Sequence, residues 1–165
     1  MSFSTAVRVV IHILVFNIVQ GAVCLYALLL GGRPERWIAV MLLAASLATW
    51  LVPFDPSTSF RSVDMLTLGI DLTLMIGLIV VAMRANRFWP VWLAALHLLA
   101  LGIHGVRGLD SDLMPWMYAA AAGKLAYPMI LILALGVMRH RRRLALYGRD
   151  PDWARSWGGA RERSS

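Results

Sequence analysis

The 165-residue chain contains one cysteine and one lysine. A lone cysteine permits neither an internal disulfide nor a thiolate metal cluster. Val23 stands where lipid attachment at Cys24 would require a small residue, so Cys24 reads as a small apolar packing residue. Acidic side chains are also scarce, nine against sixteen Lys and Arg, for a net charge of +7. H-E-x-x-H, a nucleophile elbow, a P-loop and G-x-G-x-x-G are all missing, which removes the usual signatures of metalloprotease, hydrolase and nucleotide chemistry. Asp55, Asp110 and Asp112 sit in short segments where Asp serves turns and helix starts. The expectation is a non-enzymatic protein with no cofactor. There is no internal repeat, no low-complexity tract and no polar stretch long enough for a domain outside a membrane.

What the chain has in abundance is apolar residues, 59% of the whole, with a mean hydropathy of +0.68. They come in long blocks, more apolar surface than an ordinary soluble domain carries. A helix needs about 20 residues to cross the hydrocarbon core, and only helices and closed barrels satisfy their backbone there. Five blocks fit, near 6–30, 36–53, 62–83, 88–106 and 114–138, and none shows the alternation of a barrel strand. The fold class expected is an all-α polytopic transmembrane bundle of about five spans. The first block contains His12, Asn17 and Gln20 and is followed by no convincing cleavage site, so it reads as a retained span.

Five spans put the termini on opposite sides, and arginine chooses between them. Arg33, Arg36, Arg84, Arg87 and the arginines after Met138 gather on one side, against Arg8, Arg61 and Arg107 on the other. The expectation is therefore N-terminus out and C-terminus in, in a bacterial inner membrane. The positive charge then speaks for topology and for anionic lipid head groups rather than for nucleic acid. Trp37, Trp89 and Trp92 fall near one set of span ends and Trp50 and Trp116 near the other, as aromatic belts do. Residues 139–165 form a basic tail in which Arg139, Arg141, Arg142 and Arg143 would meet lipid or a partner. Asp150 and Pro151 suggest the start of a short interfacial helix that would carry Trp153 and Trp157 on one face.

Ionisable residues inside a span are costly and by default mark function. Asp64 and Asp71 in the third span, and His97 and His104 in the fourth, are each separated by seven residues and so nearly share a helical face. Across an antiparallel hairpin turning at "RANR", Asp71 meets His97 in depth and Asp64 meets His104. The two carboxylate and imidazole rungs lie about 10 Å apart by helical rise. His12 falls near the outer rung. Lys124, the only lysine, reaches the inner one, and Pro128 four residues later should kink its helix and free the Lys124 carbonyl.

Asp71, His97 and Lys124 thus form a candidate polar cluster in mid-span. His97 and His104 are two turns apart and cannot share one metal ion. A haem would need His12 and a second subunit. The plainer function of the rungs is to fix hairpin register by hydrogen bonding. Proton relay is the sharper one. It lacks a titratable group in the other half of those two spans. Two functions follow: an accessory, assembly or interaction subunit packed beside a membrane-protein partner or its own copies, or, as the alternative, a small proton- or ion-coupled transporter or channel.

Overall fold

The computed structural model describes residues 3–52, 65–109, 115–150 and 152–153, with side-chain surroundings for 11–52, 65–103, 124–150 and 152–153. These residues form five α-helices: α1 (Phe3–Leu30), α2 (Arg33–Leu51), α3 (Met65–Arg84), α4 (Trp89–Leu109) and α5 (Pro115–Tyr147). No strand lies among them, only one isolated bridge between Ala85 and Trp153. Each helix packs on the next in sequence, α5 returns to α1, and α2 also touches α5. The helices therefore close a ring.

Their ends follow from local chemistry. α1 runs until Gly31, whose N–H still bonds to the Ala27 carbonyl at 2.9 Å, and Pro34 then sits in the first turn of α2. Proline tolerates that place because the first helical N–H groups have no intrahelical partner. α5 is the longest element at 33 residues; it passes through Pro128 and through the basic run to Tyr147. Gly148 stops it with φ of 67° and an N–H bond to the Leu144 carbonyl at 2.9 Å. That left-handed cap is one glycine adopts without penalty. The first nine residues assigned to the tail by hydropathy, 139–147, are thus a continuation of the fifth helix.

The core lies inside the ring. Cys24, Ile38, Leu78, Leu93, Leu133 and Val137 are completely buried, Cys24 among them as the packing residue it reads as in the sequence. Apolar residues also face outward: Ile18, Leu25, Leu47, Ile76, Leu98 and Leu131 are all more than half exposed. Two helices, over Ile11–Leu30 and Met65–Arg84, are long and apolar enough to cross a membrane by themselves, and Trp89–Ile103 is a shorter apolar helix.

Truncating the core should matter and truncating the exterior should not. Leu78→Ala is expected to cost about 2–5 kcal/mol through the cavity it leaves. Leu98→Ala should stay within about 0.5 kcal/mol of the parent. Unfolding by denaturing detergent, followed by helical circular dichroism, distinguishes them.

Candidate functional sites: a polar cap and a central recess

All five helices share one order from end to end. α1 carries Phe16, Asn17 and Gln20, then buried Cys24 and Ala27, then the Gly31–Gly32 turn. α3 carries Asp71, then Leu74, Leu78 and Val81, then the turn with Arg87. α5 carries Ala126 and Met129, then Leu133 and Val137, then His140; α2 and α4 run through the same zones in reverse. A polar recess, an apolar plug and a polar cap are stacked in that sequence. Between His97 on α4 and His140 at the cap lie roughly 12–15 Å of helix rise.

The cap is built around Arg87, in the turn between α3 and α4. Its Nη1 bonds Glu35 Oε1 from the first turn of α2, and its Nη2 lies 2.8 Å from Asp150 Oδ2 and 3.2 Å from Asp152 Oδ1. His140 Nδ1 on α5 lies 2.9 Å from Arg87 Nη2 and 2.7 Å from Asp150 Oδ2. A guanidinium only donates and a carboxylate only accepts. With a hydrogen on Nδ1 the ring donates to Asp150; with a lone pair there it accepts from Arg87. Arg143 Nη1 reaches Asp150 Oδ1 at 3.2 Å from the rim. The Glu35 side chain is fully buried, and those of Asp150 and Arg87 are 2% and 6% exposed.

Close approach makes this possible. A Cβ at Gly32 would stand 3.0 Å from His140 Cε1, 3.1 Å from Arg87 Nη2, and against Asp152 Oδ1. Gly32 is also the N-cap of α2 and brings no side chain to it. The Arg33 N–H instead donates to Asp152 Oδ1 at 3.2 Å, a carboxylate where the helix dipole favours one. The segment after α5 is thereby held in place, with Asn86 N–H donating to the Asp152 carbonyl at 3.3 Å and Trp153 packed against the core. Glu35 Oε2, Arg87 Nε, Trp89 Nε1 and Asp150 Oδ1 are buried without a hydrogen bond to protein. A cavity of about 110 Å³, lined in part by Arg87, Trp89, His140 and Asp150, adjoins three of these residues. It has room for water.

The recess, of about 320 Å³, lies beyond the plug and takes lining residues from all five helices. Asp71 and His97 both line it, and His97 Nε2 bonds the backbone carbonyl of Asp71 at 2.9 Å. The matched depth expected of this pair holds, with a peptide oxygen as the partner of the imidazole. Gln20 Nε2 donates to Ser46 Oγ at 2.6 Å and to the Leu42 carbonyl at 3.3 Å. Lys124 is exposed on α5 and does not line the recess; His12 is likewise exposed on α1. Asp64 and Trp157 lie outside the described residues, and for His104 only the backbone, within α4, is described. Arg139, Arg141, Arg142 and Arg143 are exposed along the extension of α5.

Sequence reasoning missed the cap. It counted Arg33, Arg36 and Arg87 as topology charges and passed over Glu35. The available signal was that Glu35 is the one acid in the two turns on the arginine-rich side. Comparisons with family models, curated proteins and solved structures find no match to this chain.

Burial raises the Glu35 carboxyl above its ordinary 4.5, outweighing the opposing attraction of Arg87. The folded state then holds this proton more tightly than the unfolded one. The contribution of Glu35 to stability is thus complete below pH 4.5 and is lost as pH rises through the raised value. Relative to Glu35→Gln, the parent should lose stability over that range, read from thermal unfolding at stepped pH. Arg87→Met leaves Glu35 and Asp150 buried without their cation and should cost about 3–5 kcal/mol, less what Glu35 recovers by taking a proton. Adding Glu35→Gln to it should return part of the loss in a double-mutant cycle.

Proposed function

We propose that the chain is a five-span protein of a bacterial inner membrane, N-terminus out and C-terminus in, serving as a non-enzymatic accessory or interaction subunit. The outward-facing apolar side chains on all five helices and the arginine asymmetry support the membrane part of this reading. The observation that carries the functional part is the plug. Recess and cap each gather polar groups, and the completely buried Ile38, Leu78, Leu93 and Leu133 stand between them. An apolar layer two or more turns thick offers no relay for a proton and no ligand for an ion. That weighs against the transporter or channel alternative, whose candidate residues Asp71 and His97 both stand on one side of it.

The interaction surface in this reading is the guanidinium face of α5 beyond the apolar core. Arg139, Arg141 and Arg142 project there and make no ion pair among the described residues. They suit anionic head groups or an acidic partner. Deleting everything after Arg143 would be a poor test, because it also removes Asp150 and Asp152 from Arg87. Arg141→Gln with Arg142→Gln leaves the cap intact. Gentle purification of the tagged protein should bring down a stoichiometric membrane partner or a homo-oligomer, and the double variant should lose it while keeping the helical signal of the parent. Proteoliposomes of the parent should pass protons no faster than empty ones; flux that Asp71→Asn abolishes would instead establish transport.

A further inference from the structure

We propose that the cavity in the cap, between the start of α4 and the extension of α5, binds a phosphodiester, in a lipid head group or free. The site rests on the cap geometry alone; only its supply from a lipid rests on the membrane reading given above.

Unpartnered donors are the first ground. Arg87 Nε and Trp89 Nε1 are buried with no hydrogen bond to protein, and both residues line the cavity. The Arg87 side chain is 6% exposed. Both atoms can only donate, so whatever completes them must accept. Leaving a buried donor empty is costly. The cavity holds about 110 Å³, against about 30 Å³ for a water in the liquid. That is space for one tetrahedral phosphate group, or for the few waters it displaces.

Charge is the second ground. Three guanidiniums line the cavity, from Arg87, Arg139 and Arg143, against one carboxylate, that of Asp150. Arg87, His140 and Arg143 already hold Asp150, while Glu35 and Asp152 meet Arg87 outside the lining. Arg139 makes no ion pair among the described residues and brings the cation not yet matched. One spare cation beside an acid suits a singly charged phosphodiester better than a dianion. The donors come from the α3–α4 turn, from α4 and from α5, and a tetrahedral group with several acceptor oxygens serves three elements better than a planar carboxylate does. Gly136 helps by lacking a side chain, since the Trp89 ring lies against it where a Cβ would stand 2.8 Å away.

The surroundings suit a lipid as the carrier. Leu131, Leu135 and Arg139 follow at four-residue steps on one face of α5, and both leucines are exposed. Phe88, which lines the cavity, and Trp92 are exposed as well, with ring centroids 6.1 Å apart. A phosphate seated in the cavity leaves acyl chains free to run over this apolar surface, with the guanidiniums at head-group level.

The test uses the full chain in maltoside micelles without phosphate, followed by calorimetry. The probes are dihexanoyl phosphatidylglycerol, its soluble head-group diester glycerophosphoglycerol, dihexanoylglycerol and acetate. Phosphatidylglycerol should bind one to one and about tenfold or more tightly than the diglyceride. Comparable binding of glycerophosphoglycerol assigns the site to a free phosphodiester, and binding of the lipid alone assigns it to a head group. Arg139→Gln should weaken the phosphodiester about tenfold, and so should Trp89→Phe, which keeps a ring on Gly136 without the N–H. Arg141→Gln removes a charge of α5 that does not line the cavity and should change nothing. Exposed Arg139 decides the matter if Trp89→Phe does not fold. No binding of either phosphodiester, equal binding of the diglyceride or of acetate, undiminished affinity in either folded variant, or an equal loss in Arg141→Gln would each overturn the proposal. Loss of a partner in the Arg141 and Arg142 double variant is a separate result, so the two readings fail independently.

Discussion

One guanidinium joins the parts of this protein that are farthest apart in sequence. Arg87 sits in a four-residue turn, yet it bonds the first turn of α2 through Glu35 and the segment after α5 through Asp150 and Asp152, with His140 at its edge. Three carboxylates, those of Glu35, Asp150 and Asp152, meet two guanidiniums, those of Arg87 and Arg143, so the ionic groups nearly balance within the cluster. Burial of such a set is costly unless each charge is paired and hydrogen-bonded. The arrangement meets most of that cost with geometry: a glycine at 32 leaves space for the side chains, and the start of α2 takes the Asp152 carboxylate as its cap.

The rest of the bundle can be read from that fixed end. Once the α2 start, the α3–α4 turn and the α5 extension are tied at one level, the helices are aligned in depth. The buried layers then match: Cys24 with Ile38, Leu78, Leu93 and Val137. Trp89 presses flat on Gly136, where a Cβ would come within 2.8 Å of its ring. Beyond the plug lies the recess, lined from all five helices. In a helix bundle with apolar surroundings, burial of apolar surface cannot discriminate one sliding register from another. Polar contacts at defined depths can.

Much of this was legible in the sequence, for reasons that can be stated. The five helices are visible because their apolar runs are longer than strands usually are and lack the alternation of a strand. The match of Asp71 with His97 is visible because a short turn makes depth a simple function of residue number. Its chemistry was not, since the choice between a carboxylate and the peptide oxygen of the same residue depends on side-chain direction. The cap was hidden for a different reason. Glu35 and Arg87 are 52 residues apart, and in a count of charges by side an arginine that holds a fold together looks the same as one that meets lipid. The helix runs on through 139–147 beyond the apolar run because helix continuation depends on backbone propensity, and Arg and Leu are both good helix formers.

The capping of α2 by Asp152 has a consequence for the order of events in making this protein. Chains emerge from the ribosome N-terminus first, and early segments fold or insert before late ones exist. Gly32 and Arg33 are synthesised more than a hundred residues before Asp152, so the start of α2 waits through the production of three further helices with its amide uncapped and Glu35 without its full set of neighbours. Closure waits until α5 and the segment after it exist. A chain interrupted before residue 150 lacks both the Asp150 and Asp152 carboxylates at Arg87 and the cap on α2.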